Sequence, residues 1–366
     1  MPRRSAPALV LVVILIACSP ETATTTSLAT SSTTAAPTTA PSAPTTSTSA
    51  VVATTSGAQP ADATVEVLLA PYTEMGPEWT EVFFSYGEDA QHLSTSIGGE
   101  GSVMWGPEYG TQLADGTWWF FDAANLRLAH FDADGAYLDQ APMPEDLLIG
   151  GIYFQYQMPI ALDNGWVTGF GFRGDETTSI LRLIDGELSQ IGVGGIVSWV
   201  NTDGTHLYGL SFEDSTPQRL DPETGTVEPL EWLIARDGSR YRVTLDQSEH
   251  EVLVEMPDSG ITRTLLLRFS GDPEVGAFSS IEVETGVDGT LFFFFTGAPE
   301  GNETLGIGGY LSISPSGAVS RLEPVSEPFS PSDPGTGGRL GVRPGTSMTW
   351  IMNIGEDGVH VYNRSG

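Results

Sequence analysis

From Thr64 to the C-terminus, short apolar or alternating runs are separated by Asp-Gly, Asn-Gly and other glycine-rich turns. Runs of this kind predict short β-strands joined by tight turns, so the pattern indicates an all-β domain. Few segments have a helical period, and Glu228–Ala235 is too short and too proline-flanked to predict a helix. The predicted strands are Val65–Leu69, Glu81–Ser85, Thr117–Phe121, Trp166–Phe172, Ile180–Ile184, His206–Ser211, Glu251–Glu255, Thr264–Phe269, Thr290–Thr296, Tyr310–Ile313, Met348–Ile354 and Val359–Tyr362.

A repeated unit of strands and Asp-Gly turns distinguishes among the possible all-β folds. Gly110–Gln140 reads as a strand, an Asp115-Gly116 turn, an aromatic strand, a short turn, Arg-Leu-x-x-Phe-Asp and a second Asp-Gly turn. This segment resembles a blade of an NHL-type β-propeller. The resemblance implies that Thr117–Phe121 is an inner strand of the blade and that Leu126–Phe131 is an outer one.

Weaker echoes of the same unit follow Asp163, Asp203, Asp237 and Asp288 and recur near the C-terminus. About 300 residues at ~40–50 per blade would make six or seven blades, and we favour six. Val65–Leu69 is expected to complete the last blade and close the ring. The alternatives are a seven-bladed propeller and a pair of β-sandwiches.

The N-terminus carries an export signal. Arg3 and Arg4 precede an apolar stretch, Ala6–Ala17, which is shorter than the ~20 residues of a membrane-spanning helix. The stretch ends in Leu15-Ile16-Ala17-Cys18, which resembles the bacterial lipobox. The resemblance implies that residues 1–17 are a lipoprotein signal peptide and that Cys18 becomes residue one, carrying diacylglycerol and palmitate-type acyl chains. The alternatives are an uncleaved anchor and ordinary cleavage with Cys18 incidental.

Residues 18–63 are predicted to form a disordered tether. The segment after Cys18 is dominated by Thr, Ser, Ala and Pro and has almost no large apolar residue, so it cannot bury enough surface to fold. A flexible coil of this length reaches roughly 35–40 Å root-mean-square. The tether is a stalk, with or without O-linked sugar, or a plain spacer, and residues 64–366 are the propeller-like domain.

Charge and cysteine content exclude one class of partner and one kind of cross-link. The formal net charge is −32, all 15 cationic residues are arginine, and removal of residues 1–17 would leave about −34. Such a chain repels phosphate backbones, so nucleic acid is not expected as a partner. A lone Cys18 permits no intramolecular disulfide.

The sequence contains no recognisable catalytic, cofactor or metal set. The absence of lysine removes P-loop and Schiff-base chemistry, and the Gly169–Gly174 string matches the dinucleotide fingerprint but precedes a predicted strand rather than a helix. Asp132-Ala-Asp-Gly135 resembles a fragment of a calcium loop but is better explained as a turn. The five histidines are isolated along the chain and are interpreted as surface residues: His92, His130, His206, His250 and His360.

Tryptophan is frequent enough to raise the question of sugar binding. Exposed indole rings can stack on sugars, but large aromatic side chains more often fill the space between propeller blades. We therefore predict packing roles for Trp79, Trp105, Trp118, Trp119, Trp166, Trp199, Trp232 and Trp350.

These observations predict a lipoprotein at the outer face of the bacterial cytoplasmic membrane or cell envelope. Acyl chains on Cys18 would bind the membrane, and the propeller would bind an envelope protein or a glycan. One alternative, implied by the propeller resemblance alone, is an enzyme of the lyase or lactonase type with an axial metal. A second is a factor in envelope assembly or quality control.

Overall fold

The computed structural model describes residues 62–71, 75–94, 96–97, 104–105, 107–122, 125, 127–142, 154–156, 159–172, 177–194, 197–211, 216–246, 251–258, 261–271, 275–299, 307–320, 323, 339–355 and 357–364. Cys18, the signal segment, His250 and the tether up to Ala61 lie outside these residues. Within the described part of the chain, no helix has the length and apolar character needed to cross a membrane.

Four short elements precede the regular repeats. They are β1 (Asp62–Pro71), β2 (Trp79–Ser85), and a two-stranded ribbon of β3 (Ser96–Ile97) and β4 (Met104–Trp105).

Six antiparallel blades then follow one another along the chain in the described residues, and β1 joins the strands of blades 4 and 5 into one eight-stranded sheet. Blade 1 is β5 (Pro107–Gln112), β6 (Trp118–Asp122), β7 (Arg127–Phe131) and β8 (Tyr137–Pro142). Blade 2 is β9 (Phe154–Tyr156), β10 (Ile160–Leu162), β11 (Gly165–Phe172), β12 (Thr177–Ile184) and β13 (Glu187–Gly194), with β9 paired to β11. Blade 3 is β14 (Val197–Thr202), β15 (Leu207–Ser211), β16 (Pro217–Leu220) and β17 (Val227–Pro229).

Blade 4 is β18 (Leu233–Ile234), β19 (Arg240–Asp246), β20 (Glu251–Asp258) and β21 (Ile261–Gly271). Blade 5 is β22 (Val275–Thr285), β23 (Leu291–Pro299) and β24 (Ile307–Ile313), extended by single bridges to Val319 and Glu323. Blade 6 is β25 (Arg339–Val342), β26 (Thr349–Ile354), β27 (Gly358–Arg364) and the N-terminal β2. The fold is a six-bladed β-propeller, as the repeat spacing predicted.

Every predicted strand overlaps an observed one, but the innermost strand of each blade was largely missed. In blade 1 the innermost strand is β5, so the placement of Thr117–Phe121 as an inner strand is wrong: most of it forms β6, the second strand. The inner strands β10, β18 and β25 have two to four residues. A strand this short contains too few residues to show a period of two in sequence.

Ring closure also differs from the prediction. The strand that completes blade 6 is β2, which pairs antiparallel with β27 from Trp79 opposite Arg364 to Ser85 opposite Gly358. Val65–Leu69 instead belongs to β1, which runs parallel to β21 at the outer edge of blade 4 and touches β24 of blade 5 at Ala70 and Pro71. The N-terminal segment therefore holds the ring together at two separate edges.

The core consists of apolar layers between adjacent blades, because each sheet buries both faces against its neighbours. Trp118 and Trp350 pack edge to face at 5.3 Å between blades 6 and 1, and Trp166 packs against Phe121 at 5.2 Å between blades 1 and 2. The layer between blades 2 and 3 contains Ile160, Leu162, Leu207 and Leu220. The layer across blades 3, 4 and 5 contains Tyr208, Leu233, Tyr241, Leu291 and Phe293. The layer between blades 5 and 6 contains Phe292, Phe294, Leu340 and Ile351.

A polar clamp secures β2 at the junction of blades 5 and 6. The carboxylate of Glu323 accepts hydrogen bonds from Arg364 Nε at 2.9 Å and Nη2 at 2.5 Å, and from Trp79 Nε1 at 3.2 Å. The indole of Trp79 also packs edge to face on Tyr310 at 5.3 Å. One carboxylate of blade 5 thus ties together the closing strand and its partner.

We predict that Glu323→Ala destabilises the propeller by about 2 kcal/mol, because it removes a bidentate, partly buried charge-assisted pair. Urea unfolding of the full chain measures the loss. Glu228→Ala is the matched control, since the Glu228–Arg219 pair is largely exposed and is expected to contribute less than about 1 kcal/mol. Equal losses in the two variants would show that Glu323 is not a clamp.

His360 on β27 forms a second link to the closing strand. Its Nδ1 lies 2.6 Å from Glu81 Oε1 on β2, and its Nε2 lies 3.0 Å from Asp357 Oδ1. Its ring packs on Phe83 at 4.8 Å. Burial disfavours protonation, but the hydrogen bonds and charges of Glu81 and Asp357 outweigh it and raise the pKa of His360 above its ordinary value of 6.5.

Because this pKa is raised by folding, the contribution of His360 to stability is complete below about pH 6.5 and is lost as pH rises through the folded pKa. We predict that the difference in melting temperature between the wild type and His360→Gln shrinks from pH 6 to pH 8.5, as measured by thermal unfolding. The exposed pair His92–Asp89 provides the control, because His92→Gln should alter this dependence much less. A difference that stays constant with pH would refute the link.

Candidate functional site

The turns between the first and second strands of the six blades gather at one end of the ring. Every blade starts at its innermost strand, so equivalent turns repeat on the same side, here called the inner-turn face. Neighbouring turns are joined directly: Arg343 Nη2 donates to the Ala114 carbonyl at 3.0 Å, and the Asp163 amide donates to the Gly204 carbonyl at 2.8 Å. The Ser347 hydroxyl donates to Asp288 at 2.9 Å. These contacts join blade 6 to blades 1 and 5, and blade 2 to blade 3, at the inner-turn face.

An aspartate caps four of these turns. Each accepts the amide of the residue two positions later, at 2.8–3.2 Å, while the following glycine adopts a positive φ of 76–96° that favours glycine. Burial alone would raise the pKa of Asp115, Asp203 and Asp288, but the hydrogen bonds in and around their turns outweigh it and lower the pKa of each. The capping residues are Asp115, Asp203, Asp237 and Asp288.

Arg236, in the turn of blade 4, links this blade to blade 2. Its Nη2 donates to the Ala161 carbonyl of blade 2 at 3.2 Å, its Nη1 lies 3.9 Å from Asp163 Oδ1, and its side chain is only 4% exposed. A side chain of blade 4 therefore reaches blade 2 by extending past blade 3. Burial lowers the pKa of Arg236, while Glu284, Asp163 and Asp203 favour its charged form.

Glu284 on β22 of blade 5 is the acidic partner of Arg236. Burial raises its pKa to about 8, Arg236 opposes the shift, and the charge of Glu282 adds to it. Glu282 itself is held by blade 6, because it accepts Arg339 Nη1 at 2.9 Å and the Leu340 amide at 2.5 Å. At neutral pH Glu284 is therefore mainly protonated beside the Arg236 cation. We call Arg236, Glu284 and Asp163 the axial cluster.

The axial cluster links blades 2, 4 and 5 on the inner-turn face. The buried Asn201 of blade 3 adds a link to blade 4, since its amide donates to the Ile234 carbonyl at 2.9 Å. The Arg236 guanidinium opposes the approach of a cation to this cluster by simple repulsion. In the described residues, no group of three or more His, Cys, Asp or Glu side chains is arranged to hold a metal ion.

An open groove lies between blades 4 and 5 on the same face. Its volume is about 660 Å³, within the usual range for ligand sites. Asp237 lies at its inner end. The Asp237 carboxylate is so close to Gly289 of blade 5 that a Cβ atom at position 289 would clash with it. At the outer end Arg263 Nη1 donates to the Pro315 carbonyl at 3.0 Å. The lining residues include Asp237, Ser239, Arg240, Met256, Pro257, Asp258, Thr262, Leu291 and Pro315.

The described histidines lie on separate elements and are not brought together. His92 pairs with Asp89 after β2, and His130 stacks on Trp119 at 4.3 Å in blade 1. His206 contacts Asp203 at 3.2 Å in blade 3, and His360 links the strands of blade 6. Each therefore has a local structural partner.

The motifs that resembled ligand sites are accounted for by turns and strands. Asp132 Oδ1 accepts the amides of Asp134 at 3.0 Å and Ala136 at 2.8 Å, which is the capping of a tight turn. Gly169 and Gly171 lie within β11, and the next described element is the strand β12.

Packing accounts for the described tryptophan side chains, as predicted. The indoles of Trp79, Trp118, Trp119, Trp166 and Trp350 are buried. One face of the Trp232 ring is covered by Arg242, whose guanidinium carbon lies 4.3 Å from the ring centre. The side chains of Trp105 and Trp199 lie outside the described set.

Sequence reasoning missed Arg236, Glu284 and the groove. Arg236 and Asp237 form an ordinary turn sequence, and Glu284 lies on an inner strand that was not predicted. An Arg immediately before an Asp-Gly turn was a visible signal, but nothing in the sequence placed it on the axis.

Fold and site together define a six-bladed β-propeller with a buried charged cluster that links three of its blades. Residues 77–364 match the family model described as a domain of unknown function, DUF7485, and the chain belongs to this family. No curated protein sequence matches the chain.

Several solved structures are distantly similar. Hydrazine synthase of Kuenenia stuttgartiensis is 13% identical with a TM-score of 0.41, covering 70% of this chain and 76% of that one. The propeller domain of the Trilobed protease of Pyrococcus furiosus is 12% identical with a TM-score of 0.37, covering 70% and 83%. Oligogalacturonate lyase of Vibrio parahaemolyticus is 11% identical with a TM-score of 0.40, covering 69% and 76%. The fold assignment itself depends on the strand order described above.

We predict that Glu284→Gln makes the protein more stable than the wild type at pH 8, by about 2 kcal/mol or more. The folded state retains the Glu284 proton up to about pH 8, whereas the unfolded chain loses it near 4.5, so wild-type stability falls as pH rises between these values. Thermal unfolding at pH 5 and pH 8 measures the effect, with the exposed Glu228→Gln as control. A stability difference that is the same at both pH values would contradict a protonated Glu284.

Proposed function

We propose that this protein is an extracytoplasmic lipoprotein whose propeller binds a partner of the cell envelope, either a protein or a glycan. The observation that carries the proposal is the open groove of about 660 Å³ on the inner-turn face, the face that also holds the buried Arg236. The Arg236 cation favours binding at the blade 4–5 groove over metal chemistry beside this side chain. A role in envelope assembly or quality control would use the same surface.

The position of β1 is consistent with a tethered domain. Asp62 pairs in parallel with Thr264, near the start of β21, which follows the turn that ends in the groove. The chain that connects Cys18 to the propeller therefore enters at the inner-turn face, beside the groove. A ligand in the groove would lie close to the point where the tether joins the domain.

The enzymatic alternative with an axial metal receives no support from the axial cluster. The axial cluster contains the buried Arg236 cation, and Glu284 is buried and mainly protonated at neutral pH. Both features oppose the binding of a divalent cation beside these side chains.

We predict that Cys18→Ser abolishes acylation and releases the protein from the membrane fraction. Two acyl chains anchor stably, whereas an unmodified chain of this charge has no comparable attachment. Metabolic labelling with an alkyne palmitate, followed by detergent-phase partitioning, measures both effects. Ser19→Ala is the matched control and should behave as the wild type. Membrane retention of Cys18→Ser equal to the wild type would overturn the lipoprotein assignment.

A further inference from the structure

We infer that the groove between blades 4 and 5 binds an extended, cationic segment of another polypeptide through its arginine or lysine side chains. The inference rests on the proposed function and decides between its two partner classes, protein and glycan. It depends on three features of the groove: its apolar floor, its carboxylates and the arginine already held at its outer end.

The floor of the groove suits aliphatic and peptide groups. Pro315 is exposed and Pro257 is half-buried, so both contribute apolar surface, whereas the lining side chains of Met256 and Leu291 are buried. Sugars are commonly recognised by an exposed aromatic platform, and the aromatic residue among those lining the groove, Tyr241, is buried in the core between the blades. The lining therefore favours a polypeptide over a glycan.

The carboxylates supply the charge complement. Asp237 and Asp258 line the groove and are exposed, and both belong to a chain with a net charge of −32. Asp237 is held in place because its Oδ1 accepts the Ser239 amide at 2.8 Å while the carboxylate lies against Gly289. A lysine or arginine can lay its aliphatic stem on the apolar floor and present its cationic head to these carboxylates. Arg240 lines the same groove and repels any cation placed next to it, so the attraction is confined to the surroundings of Asp237 and Asp258 and favours spaced cations.

The protein itself shows how the groove holds a guanidinium. Arg263 extends from β21 across to blade 5, where its Nη1 donates to the Pro315 carbonyl and its side chain covers Gly317. A backbone carbonyl at the mouth of the groove thus accepts a guanidinium donor. A partner's arginine deeper in the groove would meet the carboxylates of Asp237 and Asp258.

Binding to a defined peptide tests the charge requirement. The probe is a fluorescent peptide of about seven residues in which alanine and arginine alternate, and its counterpart carries glutamate in place of arginine. Full-length protein in lipid nanodiscs should bind the arginine peptide, more weakly as salt increases, and should not bind the glutamate peptide. Asp237→Asn and Asp258→Asn should each weaken binding about threefold to fivefold.

Asp134→Asn is the matched control, because it removes one exposed carboxylate from a turn of blade 1 on the same face. It should leave the affinity unchanged. An asparagine at position 237 still has a side-chain oxygen that can accept the Ser239 amide, so the Asp237→Asn variant should keep this turn. Equal weakening by all three variants would overturn the inference, since it would show a response to overall charge rather than to the groove.

A cross-linking experiment in cells identifies what occupies the groove. Thr262 is exposed and lines the groove, and the chain has no cysteine besides Cys18, so Thr262→Cys offers a single free thiol once Cys18 is acylated. A benzophenone attached there should cross-link a cationic segment of a second polypeptide. A product with the protein's own residues 19–61 would overturn the inference.

Failure of the inference and failure of the proposed function remain distinguishable. If soluble peptidoglycan fragments bind and compete at the groove while the arginine peptide does not, the partner class is wrong but the binding function stands. If neither probe binds and Cys18→Ser also stays with the membrane, the proposed function fails as well.

Discussion

The antiparallel pairing of β2 with β27 is the interaction on which the rest of the propeller depends. A blade has two apolar faces, and both are covered only when the first and last blades of the ring meet. The closing strand comes from the N-terminal side of the chain, so blade 6 combines residues from both ends of the domain. The bidentate Glu323–Arg364 pair and the His360 link lie at this junction, where the ring would otherwise open first.

Closure of the ring has an electrostatic consequence at the axis. The inner strands bring turns from all six blades to one face, and the capping aspartates concentrate negative charge there. Arg236 adds a cation to this face, which offsets some of this repulsion. Glu284 on β22 is within the influence of that charge, but burial rather than ion pairing sets its pKa. The axial cluster therefore joins blades 2, 4 and 5 on this face.

The open groove lies at the boundary between blades 4 and 5. The blade 4–5 boundary is unusual because the innermost strand of blade 4, β18, has only two residues, and β1 adds a strand to its outer edge. A shortened inner strand and an added outer one leave the groove open on the inner-turn face. β1 begins on this same face, because it runs parallel to β21 from Asp62 opposite Thr264.

Much of the architecture could be predicted because it is encoded locally. Asp-Gly pairs such as Asp115-Gly116 adopt the positive φ that a tight turn needs, and alternating runs such as Thr264–Phe269 form strands whichever neighbours they acquire. The six-blade count follows from the number of such units. The lipobox around Cys18 is also a purely local pattern, and it remains a prediction outside the described residues.

The closing strand, the axial cluster and the groove were decided only by tertiary structure. Val65–Leu69 and Glu81–Ser85 have the same strand-like pattern, and only pairing with β21 or β27 distinguishes them. Arg236 and Glu284 are 48 residues apart and meet because both blades converge on one axis. Local sequence determines turns and strands through backbone geometry, whereas the partners and pKa values of side chains depend on long-range burial, which exists only once the ring has closed.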